Sequence, residues 1–238
     1  MKCYYDLHIH SCLSPCGSMD MTPNNIVNMA KLLGLSAIAL TDHNTVHNCE
    51  ALIKVGQRED ICVVPGMELT TSEEIHIVCL FPTLEDAKSF CDYVSEHQIK
   101  IKNRADIYGR QVIMDSDDNE ISELENLLVM ATDISIMNVA ELAESYNGIA
   151  FPAHIDRSSM SILSVLGEIS ESYNFSTVEL ADITQKEKWI SAHPILKNMN
   201  IITNCDAHYL EHMKEAENFF ELDEITPKAI IEKLKNRI

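Results

Sequence analysis

Hydrophobic and polar positions follow two different patterns along this chain. Short runs that are apolar at almost every position are separated by longer stretches in which apolar residues recur every three or four positions. The first pattern is typical of buried strands and the second of amphipathic helices. The predicted strands lie at residues 4–10, 36–40, 61–64, 75–81, 149–153, 177–180, 200–203 and 218–222. The predicted helices lie at residues 22–34, 48–57, 83–98, 135–147, 159–167 and 185–197, and a final helix begins at Thr226–Pro227.

The order of these elements predicts an α/β fold. Strands that are apolar throughout, each followed by a helix, indicate parallel strands that are covered by helices. About seven such units follow one another, which favours a closed barrel over an open doubly wound sheet. The chain has no Gly-rich phosphate loop, internal repeat or low-complexity linker. We therefore expect one domain over residues 1–238.

One stretch, from about residue 100 to residue 133, breaks the alternation. Residues 111–114 and 120–122 have strand character, and the polar run Asp115–Asn119 lies between them. This pattern predicts a hairpin-like insertion with a polar tip. Because loops on a fixed scaffold carry specificity, we expect the insertion to select the substrate.

Histidines and carboxylates recur where the predicted strands end. His8 and His10 are separated by one residue, and side chains on a strand alternate, so both imidazoles face the same way. Six further candidates occur downstream, nearly all directly after an apolar run: His43, Glu68, His76, His154, Asp206 and His208. The C-terminal ends of barrel strands meet at one mouth, so these residues are expected to converge there.

A set of this size is too large for one metal ion. We expect two or three divalent ions, with Glu68 able to bridge a pair. Imidazole and carboxylate ligands suit Mn, Zn or Fe better than Mg. The eight cysteines lack paired C-x-x-C spacing and are expected to be thiols, although Cys12 and Cys16 lie close after the histidine pair.

Composition narrows the expected partners. The net charge is −19, and affinity for long nucleic acids comes from clustered Lys and Arg, so we expect no long nucleic acid partner. A small phosphorylated substrate drawn in by metals is compatible with this charge. No apolar run approaches the roughly 20 residues that span a membrane, and no signal peptide is evident, so we expect a cytoplasmic location without a membrane partner. The oligomeric state is left open.

The motifs resemble the PHP (polymerase and histidinol phosphatase) family. The order is H-x-H, T-D-H, G-x-E, a strand histidine, P-A-H and D-A-H, and it extends from residue 6 to residue 208. The resemblance implies a distorted (β/α)7 barrel with its metal site at the C-terminal ends of the strands, and hydrolysis of phosphate esters. It also implies three ligand sets: His8, His10, Glu68 and Asp206; Glu68, His76 and His154; and His43 and His208 with one residue from the loop after the H-x-H.

The sequence departs from the family pattern in that loop. Many members have Ser-Asp-Gly there, whereas this chain has the longer segment 14–20. Asp20 is the predicted substitute ligand for the third ion, with Cys16 or Ser18 as alternatives. Asp42 is equally well interpreted as a residue that orients a histidine.

The predicted chemistry assigns a role to each group. Metal-activated hydroxide would attack a phosphate ester. The predicted catalytic residues are Glu68, Asp206, His43 and His208. Arg157 and Arg110 are the predicted phosphate-binding residues. Two other hypotheses stay open: an amidohydrolase-type enzyme acting on a non-phosphate bond, and a metal-binding regulatory domain without activity.

Overall fold

A computed structural model describes residues 1–237. Its ten strands are β1 (Lys2–Ile9), β2 (Ala37–Leu40), β3 (Cys62–Thr70), β4 (His76–Leu80), β5 (Val112–Met114), β6 (Glu120–Glu123), β7 (Ile149–Pro152), β8 (Thr177–Glu179), β9 (Asn200–Ile202) and β10 (Phe219–Glu221). Its α-helices are α1 (Pro23–Leu32), α2 (Cys49–Glu59), α3 (Leu84–His97), α4 (Ala105–Tyr108), α5 (Ile136–Ser145), α6 (Ile162–Leu166), α7 (Lys186–Ala192) and α8 (Pro227–Lys235).

The strands form a curled sheet rather than the expected (β/α)7 barrel. Six strands pair in the order β10-β1-β2-β3-β4-β7, and β8 and β9 form a separate parallel pair. β1, β2 and β3 run parallel, whereas β4 is antiparallel to both β3 and β7. The α/β class is confirmed, but one closed barrel of repeated strand–helix units is not: the described strands form a curled six-stranded sheet and a separate pair.

The departure from the barrel originates in β3. Its first half pairs with β2, up to the Leu40–Pro65 pair, and its second half pairs with β4 from Gly66 onward. A side chain at position 66 would lie 2.5 Å from Cys79 O, so glycine permits the close approach of β4. The chain therefore returns directly as an antiparallel strand at this point, without a covering helix between β3 and β4.

Single contacts link the separate strand pair to the large sheet. Ile155 N, after β7, donates to Glu179 O at the end of β8 (2.9 Å). On the other side, an isolated parallel bridge joins Ile9 of β1 to Ala207 after β9. These contacts bring the end of β9 next to the end of β1.

Two apolar clusters lie on the two faces of this arrangement. The outer cluster contains apolar residues of α1, α2, α3 and α5, such as Leu52 and Phe90. The inner cluster contains Leu7, Phe151 and other strand residues together with Ile230 and Leu234 of α8. The β1–β2 register shifts between Asp6 and Ile9, so Leu7 belongs to the inner cluster while Ile9 belongs to the outer one.

The predicted insertion forms the hairpin β5–β6. Asp118 near its tip accepts hydrogen bonds from Thr22 Oγ1 (2.7 Å) and from Asn24 N and Nδ2, at the start of α1. Val112 N donates to Cys12 O (3.3 Å) in the loop after β1. The polar tip therefore packs on α1, and β5 packs beside the loop that follows the histidine pair. Within residues 1–237, no helix combines the length and apolar character needed to cross a membrane.

Candidate metal centre

The candidate ligands converge because the strands that carry them end at one mouth. His8 lies in β1 and His10 just after it, His43 follows β2, and His154 follows β7. Asp206 and His208 follow β9. His76 is the first residue of β4, and it reaches the same end because β4 is antiparallel and pairs it with Thr70, the last residue of β3.

Glu68 is the centre of the cluster. It lies within β3 rather than after it, and its carboxylate is 1% exposed. Five imidazole nitrogens surround it: His76 Nδ1 at 2.9 Å, His43 Nδ1 at 3.1 Å, His154 Nε2 at 3.2 Å, and His8 Nε2 and His10 Nε2 each at 3.3 Å. Both carboxylate oxygens take part, so Glu68 is placed to bridge two groups of histidines.

Asp206 forms the second carboxylate of the cluster. Its Oδ1 lies 3.3 Å from His8 Nε2, 3.2 Å from His10 Nε2 and 3.6 Å from His208 Nδ1. Within the described residues, three groups of side chains offer ligand atoms that all lie within 4.8 Å of one another. They are His8, His10, Glu68 and Asp206; His43, Glu68 and His76; and His10, His43 and His208.

Buried hydrogen-bond partners of His8 and His10 determine which ring nitrogen of each histidine faces the cluster. His8 Nδ1 lies 3.0 Å from Glu179 Oε2, and because a carboxylate can only accept, Nδ1 carries the proton. Ser14 Oγ donates to Asp42 Oδ1 (2.6 Å) and therefore accepts from His10 Nδ1 (3.0 Å). Both Nε2 atoms therefore face the carboxylates of Glu68 and Asp206, and a ring held from Nδ1 in this way is the arrangement of metal-ligating histidines.

The charges in this buried volume perturb each other strongly. Burial lowers the pKa of His8, but the carboxylates of Glu179, Asp206 and Glu68 raise it well above the ordinary value. Burial raises the pKa of Glu68, but His76 and His8 bring it well below the usual range. For His208, burial and the neighbouring His10 lower the pKa to about 4. Perturbations of this kind are concentrated at functional sites.

The donor set fits transition metal ions. Three buried atoms of the cluster residues form no hydrogen bond of acceptable geometry within residues 1–237, although charged neighbours lie close to two of them: His43 Nδ1, His154 Nδ1 and Asp206 Oδ1. Buried polar atoms are normally satisfied, so these atoms call for a further partner. Imidazole nitrogens and carboxylate oxygens within a few ångströms of each other are ligands for divalent transition metals.

Backbone geometry helps to aim two of the candidate ligands. His154 has φ +30° and Asp206 has φ +50°, both in the left-handed region. For residues other than glycine this conformation costs about 1–3 kcal/mol and is concentrated at functional sites. The apolar runs at residues 149–153 and 200–203 predict the strands before these two residues. They do not predict the left-handed backbone at His154 and Asp206.

The loop after the histidine pair differs from the expectation. The residue Asp20 is exposed, and it is absent from all three groups of candidate ligands in the described chain. Asn25 Nδ2 donates to its backbone carbonyl (2.9 Å). The loop instead approaches the cluster through Ser14, which contacts His10, and through Ser18 N, which donates to His208 O (2.8 Å). The longer loop turns away before Asp20, so the structure gives Asp20 no contact with the cluster.

The two predicted phosphate-binding arginines lie in different places. Arg157 N donates to His154 O (2.9 Å), and its half-exposed guanidinium forms an ion pair with Asp206. Arg110 is exposed and pairs with Glu120 and Glu123 of β6, at 2.6 Å and 2.7 Å. The structure thus brings Arg157 to the cluster and engages Arg110 within the hairpin.

Glu179 is the buried site residue that the sequence patterns did not single out. It ends β8, and its side chain is 1% exposed. A glutamate inside an apolar strand was the available signal, since carboxylates are almost never fully buried unless they are paired. The motif pattern does not mark Glu179, because β8 is short and carries no histidine.

Comparison with known proteins identifies the family. The PHP domain family matches residues 6–140, more than half of the chain. The chain belongs to the PHP family. An uncharacterised protein of Methanocaldococcus jannaschii is 36% identical over 76 residues, which cover 29% of this chain and 44% of that protein.

Solved structures share the fold of this PHP protein. A lesion-specific endonuclease, endonuclease Q of Pyrococcus furiosus, matches 99% of the chain with a TM-score of 0.73 and 20% identity. A second endonuclease Q structure, bound to a 27-mer duplex with an abasic lesion, matches all of it with a TM-score of 0.71 and 19% identity. A protein of Bifidobacterium adolescentis described as a metal-dependent phosphoesterase matches 97% of the chain and 94% of its own length (TM-score 0.59, 14% identity). The chain spans only 56% and 58% of the two endonuclease structures.

These findings correct the expected partners. The net charge indicated a small phosphorylated substrate and no long nucleic acid, whereas one structure of the same fold holds a DNA duplex. Net charge describes the whole surface, while a phosphate bound at a metal centre responds to the local charge of the ions. Membership of the PHP family and the cluster of histidines and carboxylates together indicate a metal-binding site.

Proposed function

We propose that this PHP protein is a metal-dependent phosphodiesterase that cleaves a nucleic acid strand. The observation that carries the proposal is the buried carboxylate of Glu68, with five imidazoles within 3.3 Å of it. The choice of nucleic acid rests on the fold shared with endonuclease Q and on the duplex bound in one of those structures.

The proposed ligand sets follow the contacts. His8, His10, Glu68 and Asp206 would hold one ion, and Glu68, His76 and His154 a second. His10, His43 and His208 would contribute to a third. We propose Mn, Zn or Fe as the metals, because imidazole donors favour them over Mg. Bound divalent ions would supply hydroxide near neutral pH and stabilise charge on the attacking and leaving oxygens.

The chain's own residues orient and position the reacting groups. Glu179 and Ser14 fix the rings of His8 and His10, so that their Nε2 atoms point inward. Glu68 and Asp206 would together anchor the ion that the histidine pair holds. Arg157 is half exposed beside Asp206, so it is placed to contact a phosphate oxygen that arrives at the mouth.

The negative net charge is compatible with nucleic acid only if the protein contacts a short stretch of the phosphate backbone. The chain has 18 Lys and Arg against 37 Asp and Glu, so an extended basic track along a phosphate backbone is not expected. The ions themselves would supply most of the local positive charge. The proposal therefore places the main phosphate contact at the metal centre.

Metal-stripped protein reloaded with Mn²⁺, Zn²⁺, Fe²⁺ or Mg²⁺ tests this function. It is incubated with end-labelled single-stranded DNA, duplex DNA with and without an abasic site, and RNA, and the products are resolved by length. We expect strand cleavage with at least one of Mn²⁺, Zn²⁺ and Fe²⁺, abolished by chelator. Intact strands under every condition, with protein that binds two or more ions, would contradict the proposal.

A further inference from the structure

Glu179 is a buried carboxylate outside the three groups of candidate ligands. It contacts candidate ligands and the chain segments on which they lie. Its oxygens lie 3.0 and 3.1 Å from His8 Nδ1. Oε1 also accepts the backbone N–H of His154 (3.0 Å), and Oε2 accepts Asn204 Nδ2 (2.6 Å). One side chain therefore contacts two candidate ligands and the segment that leads to a third.

Asn204 extends this contact back to β1. Its Oδ1 accepts the backbone N–H of Leu7 (2.8 Å), and it lies two residues before Asp206. A second link runs the other way, because Asp6 Oδ2 accepts the backbone N–H of Cys205 (3.2 Å). These buried side chains connect β1 to the segment after β9 beside the single bridge between Ile9 and Ala207.

The links matter because the sheet does not fix this region by itself. β8 and β9 form a pair of their own, separate from the six-stranded sheet that carries His8, Glu68 and His76. β1, which carries His8, and β7, which precedes His154, belong to that sheet but do not pair with each other, and β9, which precedes Asp206, lies outside it. Glu179 lies where these three segments meet.

We propose that Glu179 is the positioning residue of the metal centre. It holds the proton of His8 on Nδ1, so that Nε2 is the metal-binding atom, and it fixes the segments of His154 and Asp206 relative to β1. It is not itself a ligand, because both of its oxygens accept hydrogen bonds from the surrounding groups. The inference rests on the metal centre of the proposed function, but not on the identity of the substrate.

The substitution Glu179→Gln separates positioning from bulk structure. Glutamine has nearly the same shape, but it offers one acceptor oxygen to three donors: His8 Nδ1–H, His154 N–H and Asn204 Nδ2–H. At least one donor is left unpaired or must turn, and the lone pair of His8 Nε2 is no longer held in place. Removing the partner of a metal-ligating histidine typically lowers metal affinity about 10–100-fold.

The test measures Zn²⁺ affinity by competition with a chromogenic chelator, without any substrate. We expect the weakest Zn²⁺ site of Glu179→Gln to have an affinity about 10–100-fold lower than the weakest site of the wild-type protein. The matched control Glu187→Gln, on the exposed surface of α7, is expected to keep wild-type affinity. Wild-type affinity in Glu179→Gln would overturn the proposal, whereas absent nuclease activity would leave this measurement unaffected.

A second measurement on the wild-type protein decides the matter if the variant does not fold. Nitrogen-15 NMR of the Zn²⁺-loaded protein reports which ring nitrogen of His8 is protonated. We expect a slowly exchanging proton on Nδ1 and the metal on Nε2. The opposite assignment, with the metal on Nδ1, would show that Glu179 does not position this ring.

Discussion

Replacing Glu68 by glutamine is expected to lower kcat by on the order of a thousandfold and to reduce the number of bound metal ions. Glutamine keeps the size of the side chain but removes its charge and one of its two acceptor oxygens. Five imidazoles then lose the carboxylate that lies between them. The measurement pairs strand-cleavage kinetics with metal analysis of the same preparation.

Glu85→Gln provides the matched control for this variant. Glu85 is exposed in the first turn of α3, and the same chemical change there is expected to leave both rate and metal content at wild-type values. Circular dichroism checks that both variants are folded. Cleavage by Glu68→Gln at the wild-type rate would show that the cluster does not carry the chemistry.

Metal loading is expected to raise the melting temperature strongly. An ion present at about a thousand times its Kd stabilises the folded protein by about 4 kcal/mol per site. For a domain of this size each kcal/mol raises the Tm by about 2–4 °C, which gives a shift of about 8–16 °C per site. A further reason is that Glu68 and Asp206 repel each other in one buried volume: burial and then Glu68 act to raise the pKa of Asp206, although His8 and His10 bring it below its usual range overall. A cation between them removes that repulsion.

Differential scanning calorimetry with Zn²⁺ or Mn²⁺ and with chelator measures this shift. Asp206→Asn is expected to show a smaller shift than the wild type, because it removes one of the two carboxylates. An equal shift in both proteins would place the stabilising ion outside this cluster. No shift in the wild type would argue against any tight site.

The sequence predicted the elements better than their arrangement. Apolar runs and helical spacing located β2, β4, β7 and most helices, because burial imposes these periods directly. They ended β3 at residue 64, since Pro65–Gly66 reads as the end of a strand. In the structure the strand continues to Thr70 and switches partners at that dipeptide. Strand direction depends on such long-range pairing, which a local pattern does not record.

The same distinction applies to the site. The face shared by His8 and His10 follows from strand alternation, and the convergence of distant residues follows from strands that end at one mouth. The prediction of Asp20 as a ligand rests on its position in the loop, but the path of the loop is set by contacts such as Ser14 with His10 and Ser18 with His208. Glu179 depends on the packing of β8 beside the end of β1, which no local motif marks.

The metal content of the reloaded protein tests the central claim most directly. Protein stripped with chelator, reloaded with Zn²⁺ or Mn²⁺ and freed of excess ion is analysed by native mass spectrometry, which counts the ions on each chain. The geometry predicts two or three ions per chain, because Glu68 bridges separate groups of histidines. One ion or none, in protein shown to be folded, would contradict the assignment of this cluster as a multinuclear metal centre.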